Sequence, residues 1–159
     1  MSDIFKRLFT NIRTVYPFKR NLSKFLNFAR IYDMLYGMII GIGTDIIDIA
    51  RLKDVKQAFL NRVYTSAELT GLSQSPERRA EQLAGMFAAK EAVAKALGCG
   101  FGSAIMPSDI EILRRDGKRP QVRLLGNAKT VSDALGADTV HVSISHCLDY
   151  AVAYAVAES

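Results

Sequence analysis

At 159 residues, with 49% hydrophobic and 23% charged side chains, the chain has the make-up of a soluble globular domain, alone or with an appendage, able to bury a real core. Its longest uncharged apolar run, Met34–Thr44, is shorter than the ~20 residues a spanning helix needs, so no transmembrane segment is expected. The net charge of +5 is local: residues 1–37 carry seven basic and two acidic side chains, whereas residues 38–159 carry 14 of each, so a nucleic-acid-binding core is not expected.

Residues 1–37 read as two short basic amphipathic segments. Phe5, Leu8, Phe9 and Ile12 stand at i, i+3, i+4, i+7, as do Leu22, Phe25, Leu26 and Ala29, with Pro17 between them. A docking arm, a targeting segment and an extension without a role all fit; the composition favours an extension dispensable for chemistry, ahead of a domain over 38–159.

From Ile39 to Ile49 an apolar, β-branched run predicts a strand, followed by a helical pattern through Ile49, Leu52 and Phe59. Thr65-Ser66-Ala67-Glu68 has capping-box spacing and starts a short helix. Ser75-Pro76-Glu77 opens a long helix running to about Leu97, with Gly98 and Gly100 as terminators. Ile110–Leu113 and Val122–Leu125 are predicted strands around an Asp116-Gly117 turn, and Asn127–Leu135 a short helix closed by Gly136. Thr139–Ser145 and Tyr150–Ala157 form a last hairpin across Cys147-Leu148-Asp149. Strands and helices do not alternate regularly, so the expected class is α+β, with one long central helix on a mostly antiparallel sheet. Cys99 and Cys147 match no disulfide framework and no metal-ligand spacing, which points to a reducing, cytoplasmic compartment.

The long helix holds the candidate chemistry. Leu83, Phe87, Ala94 and Leu97 form an apolar stripe with Lys90 in its middle, and Glu91, Lys95 and Gly98 follow its edge. Glu91 and Lys95 would be an ordinary surface ion pair on an exposed helix. Here Ala88, Ala89, Ala92, Val93, Ala94 and Ala96 make the helix apolar nearly all round, and charges on a buried helix need a partner or a ligand. Asp45 interrupts the β-branched run, either as a cap at the strand-to-helix junction, a role that Asp48 fits as well, or as a carboxylate meeting Glu91 at a hard cation. Two acids with Lys90 and Lys95 suit a diphosphate and its Mg²⁺. On the penultimate strand, Ser143 and Ser145 beside His146 suit an anion site.

Three blocks carry a family resemblance: Ile42-Gly43-Thr44-Asp45-Ile46, then Phe87-Ala88-Ala89-Lys90-Glu91-Ala92-Val93-Ala94-Lys95-Ala96-Leu97-Gly98, then Val142-Ser143-Ile144-Ser145-His146. Over residues 38–158 the chain resembles the holo-acyl-carrier-protein synthase family of phosphopantetheinyl transferases. The resemblance implies a compact α+β fold and Mg²⁺-dependent transfer of 4′-phosphopantetheine from coenzyme A to a serine of apo-acyl carrier protein, serving fatty acid synthesis. It further implies that Asp45 and Glu91 hold Mg²⁺, that Lys95 meets the phosphates or assists proton transfer, and that His146 lies in the coenzyme pocket. Arg51 matches a position that meets the acidic carrier protein, and family members are trimers with active sites between subunits. Met86 departs from the family pattern, which commonly has arginine there. Two other classes stay open: a non-catalytic coenzyme-binding module, and a basic membrane- or nucleic-acid-docking protein built around residues 1–37.

Overall fold

The computed structural model describes residues 37–102, 104–113 and 119–159, so the two amphipathic segments and the Asp116-Gly117 turn lie outside the described residues. Strand β1, Ile39–Asp48, leads into a 3₁₀ turn at Ile49–Leu52, then α1 (Gln57–Val63) and α2 (Ser66–Thr70). The 21-residue helix α3, Pro76–Ala96, follows. A 3₁₀ turn at Pro107–Asp109 opens a two-stranded antiparallel sheet of β2 (Ile110–Leu113) and β3 (Gln121–Leu124). Helix α4 (Gly126–Leu135) then leads to β4 (Thr139–His146) and β5 (Tyr150–Glu158). The main sheet has the order β1-β5-β4, antiparallel throughout. The fold is α+β, with the long helix laid on the sheet, as the residue pattern predicts.

Alternation decides which sheet face meets α3. Gly43 and Ile47 on β1, Ala151, Ala153, Ala155 and Ala157 on β5, and Val140, Val142 and Ile144 on β4 all belong to the buried or half-buried side. The helix answers with small residues of its own, Ala84, Ala88, Ala89, Ala92 and Ala96, all buried. Two strand glycines bring the backbones closer still. A Cβ on Gly41 would lie 2.0 Å from the Ala96 carbonyl oxygen, and one on Gly43 would lie 1.9 Å from that of Ala92. Glycine inside a strand marks such close backbone approach.

The opposite side of α3 packs on α1, α2 and β2, so the helix is buried nearly all round. Phe59 on α1 stacks on Phe87 with centroids 6.4 Å apart, and the Tyr64 hydroxyl donates to the Leu83 carbonyl at 2.9 Å. The single helical stretch expected through Ile49, Leu52 and Phe59 is broken into a 3₁₀ turn and α1. Ile49 and Leu52 are buried, and Val55 and Phe59 pack against the same core, so packing wins over propensity. Ser75 stands at the N-cap of α3, but its hydroxyl meets Glu77 Oε2 at 2.9 Å instead of a backbone amide. The capping box at Thr65 and Glu68 forms as expected. The 3₁₀ turn at Pro107–Asp109 has no counterpart in the sequence pattern.

Candidate active site

Asp48, three residues beyond Asp45, takes the capping role at the end of β1: its Oδ1 accepts from the Ala50 amide at 2.8 Å. Asp45 is thereby left for other work. Its side chain shares the α3-facing side of β1 with Gly43 and Ile47, and Lys95 Nζ donates to its Oδ1 at 2.8 Å. The same ammonium donates to the Thr44 carbonyl at 2.9 Å. Glu91, one helical turn before Lys95, is half-buried. Burial first, and the Asp45 carboxylate second, push its carboxyl above the usual range, while Lys95 pulls the other way. Two acids that repel each other, beside one ammonium, form a cluster short of positive charge. An oxygen-only donor pair of this kind fits a hard divalent cation that keeps waters and substrate phosphates as its remaining ligands.

Lys90 requires a correction. It was expected to face a coenzyme phosphate, but its side chain is 0% exposed and points to the other side of α3. Its ammonium pairs with Glu68 Oε2 at 2.8 Å, donates to the carbonyls of Pro107 (3.0 Å) and Ile110, and sits 5.7 Å from the Tyr64 ring centroid. Burial pulls the ammonium's pKa down against the opposing pull of Glu68 and Glu111. With its hydrogens spent inside the protein it has none for a ligand.

Ser145 and His146 are not brought to this cluster within one chain. Ser145, with His141 and Ser143, is on the outer face of the sheet, opposite the face that α3 covers. Along the register, Asp45 pairs with Ala153 and Ala153 with Ile144, so His146 stands two strand spacings across and two residues along, roughly 12 Å away. Arg51 is exposed on the 3₁₀ turn directly after β1, at the edge of the cluster's own strand. Met86 is buried at 3% exposure, so no cation stands at that position.

No motif in the sequence marks Glu68, Pro107 and Ile110 as the partners of Lys90. Glu68 Oε1 accepts from the Ile112 amide at 2.8 Å, and Thr65 Oγ1 donates to Glu111 Oε1 at 2.7 Å. Arg123 stands 2.5 Å from Glu111 Oε2, an ion pair off hydrogen-bond alignment. The available signal was Glu111 itself, a charge inside the apolar run Ile110–Leu113.

Residues 41–155 match the model of the 4′-phosphopantetheinyl transferase superfamily. A holo-[acyl-carrier-protein] synthase of Clostridium kluyveri is 43% identical over 124 residues, 76% of this chain and 91% of the relative. The chain belongs to this superfamily, among the holo-[acyl-carrier-protein] synthases. Solved relatives share the fold of this transferase. An acyl carrier protein synthase of Plasmodium yoelii with ADP bound superposes with a TM-score of 0.70 at 32% identity, covering 78% of this chain and 98% of its own. A holo-(acyl-carrier-protein) synthase of Bacillus anthracis in complex with CoA (3′,5′-ADP) gives 0.63 at 38% identity, covering 77% and 98%.

Proposed function

We propose that this transferase moves the 4′-phosphopantetheine group of coenzyme A to a serine of an apo-acyl carrier protein, with Mg²⁺ held by Asp45 and Glu91, and that it thereby activates the carrier for fatty acid synthesis. The observation that carries the reading is the convergence of Asp45, Glu91 and Lys95 where β1 crosses α3. A bound Mg²⁺ would supply charge neutralisation at the diphosphate. Lys95 spends two N–H groups on Thr44 and Asp45, which leaves the third for a phosphate oxygen. In the transfer, the serine hydroxyl gives up its proton to solvent as its oxygen bonds to the pantetheine-side phosphorus, the bridging P–O bond of the diphosphate breaks, and adenosine 3′,5′-bisphosphate leaves with the bonding pair. Such chemistry asks the protein mainly for positioning and charge.

The working unit we propose is a homotrimer with the site shared between copies. In support, the outer sheet face exposes Ile42, Ile46, Tyr150 and Tyr154, and His146 and Ser145 lie away from the cluster in their own chain. A neighbour's His146 and Ser145 would then line the coenzyme pocket. Arg51, with the nearby exposed Lys53 and Lys56, suits an acidic carrier surface. The free thiols of Cys99 and Cys147 suit the cytoplasm, and no helix among the described residues is long and apolar enough to cross a membrane.

Mass spectrometry of apo-acyl carrier protein incubated with coenzyme A, Mg²⁺ and this chain tests the reading; absence of an adduct of phosphopantetheine mass overturns it. The shared site has its own test. Glu91→Gln and His146→Ala chains, each inactive alone, are expected to recover activity when mixed under conditions that exchange subunits. No recovery in verified mixed trimers places the site within one chain.

A further inference from the structure

Helix α3 has a problem of registration. Twelve of its residues are buried, and seven of those are alanine. On the sheet side it meets a second alanine layer, Ala151, Ala153, Ala155 and Ala157. Small, smooth surfaces pack closely but resist rolling and sliding less than interlocked large side chains do, and the larger contact here, Ile144 against Gly85, lies toward β4 and away from β1. The site cannot tolerate such motion. Glu91 must face Asp45 on β1, and a 15° roll would move a carboxylate at the helix surface by about 1.4 Å. Misplacement by about 1 Å is enough to cost about a hundredfold in rate.

Tyr64 donates to the Leu83 carbonyl earlier on α3, but the largest set of buried directional contacts that oppose a roll comes from Lys90, the residue immediately before Glu91. Its ammonium is held by Glu68 of α2 and by the carbonyls of Pro107 and Ile110, on three separate segments. Each acceptor is itself fixed. Glu68 is held by the amides of Thr65 (2.7 Å) and Ile112 (2.8 Å), and β2, which carries the Ile110 carbonyl, is paired to β3. The charges balance as well: buried Lys90 faces buried Glu68, and buried Glu111 faces the largely exposed Arg123, so removing Lys90 or Glu68 alone leaves net charge in the interior. Among the described residues, none of these groups lies in the Asp45–Glu91–Lys95 cluster.

We propose that Lys90 is a positioning residue, an internal ionic pin that sets the rotation of α3 and so aims Glu91 at Asp45. A single buried polar group that fixes register is a known use of such pairs. The inference rests on the reading of Asp45 and Glu91 as a divalent-metal pair.

The decisive variant is Lys90→Met/Glu68→Gln, which removes the pair together and leaves no orphaned charge. Mn²⁺ alone serves as the probe, titrated with the full chain and followed by water-proton relaxation, well below the unfolding transition. With a cooperative transition and wild-type circular dichroism retained, the half-saturating Mn²⁺ concentration is expected to rise at least about tenfold, the range for groups that orient metal ligands. Carrier loading should lose about a hundredfold in kcat, with KM for coenzyme A within about threefold, since the coenzyme's own contacts remain. A folded double variant with wild-type Mn²⁺ saturation overturns the proposal. If the double variant does not fold, Glu68→Gln alone, which leaves Lys90 its two carbonyl acceptors, carries the test. It is expected to shift saturation about threefold, and no shift overturns the proposal equally. Failure of the wild-type chain to bind Mn²⁺ refutes the metal reading itself, a separate result.

Discussion

Gly43→Ala probes how closely the two acid-bearing elements must approach. A Cβ at this position would stand 1.9 Å from the Ala92 carbonyl oxygen, 2.7 Å from the Ala96 amide nitrogen and 3.0 Å from the Ala92 carbonyl carbon. All three are backbone atoms, so no side chain can swing aside. To reach ordinary contact, β1 must withdraw from α3 by about 1.5 Å, at the upper end of overpacking costs, about 3 kcal/mol. For a domain of this size that lowers the Tm by about 10 °C. The same withdrawal carries Asp45, two residues along β1, away from Glu91, and a displacement of this size is expected to slow transfer about a hundredfold below the transition. Gly71→Ala is the matched control: φ is −96° there and no atom lies within 4 Å of the added carbon, so stability and rate should not move. Thermal unfolding and mass-spectrometric carrier loading read both effects. A Gly43→Ala protein with wild-type Tm and turnover would show that the backbone contact does not set the site.

Asp45→Asn and Glu91→Gln should each slow carrier loading by about 10³-fold, the several kcal/mol a metal supplies at a transferring phosphoryl group, without loss of the folded circular dichroism spectrum. Turnover near wild type in either variant removes that residue from the metal pair. Glu91→Gln should also raise the Tm at neutral pH without metal. The raised carboxyl pKa means that Glu91 favours folding while protonated, below the ordinary glutamate range, and loses that contribution as pH rises through its raised folded value. Scanning calorimetry across pH should therefore show the gain from Glu91→Gln shrinking in acid; an equal gain at every pH would exclude carboxylate repulsion as its source. Deletion of residues 1–37 should leave carrier loading close to that of the full chain, and a truncated chain that folds but loads no carrier would give that segment a part in the chemistry.

The chain's punctuation carried most of the fold. Pro76 and Gly98 bracket the long helix, the Thr65/Glu68 pair caps the short one, and the alternation in Thr139–His146 separates the two sheet faces, each through a local rule that tertiary contacts did not overturn. Asp45, Glu91 and Lys95 were legible for a different reason. Each is a charge within an apolar pattern, and the two helix residues stand at i, i+4. Lys90 satisfies the same criterion, yet its partner is the buried Glu68 and not a phosphate. Periodicity gives a side chain's bearing around the helix axis but not what waits there, and Glu68, Pro107 and Ile110 come from segments 17 to 22 residues distant in sequence. The 3₁₀ turn at Pro107–Asp109 and the break before α1 are products of packing that no local pattern encodes.

The two lysines of α3 stand in opposite environments on one helix. Five residues separate Lys90 from Lys95, which at 100° each places them about 140° apart around the axis. Lys90 therefore faces the interior, where an ammonium is tolerable only because two carbonyls and a carboxylate replace its water. Lys95 faces the β1 edge at 47% side-chain exposure, where it keeps solvent access and an unspent N–H. With the roles proposed above, exchanging these environments would defeat both: an exposed pin would be screened and loose, and an enclosed lysine would be out of reach of a phosphate. The alanines around them serve the same division. They let β1 come close to α3, and in the proposed arrangement the rotational freedom they leave is taken up by the buried charge next to Glu91.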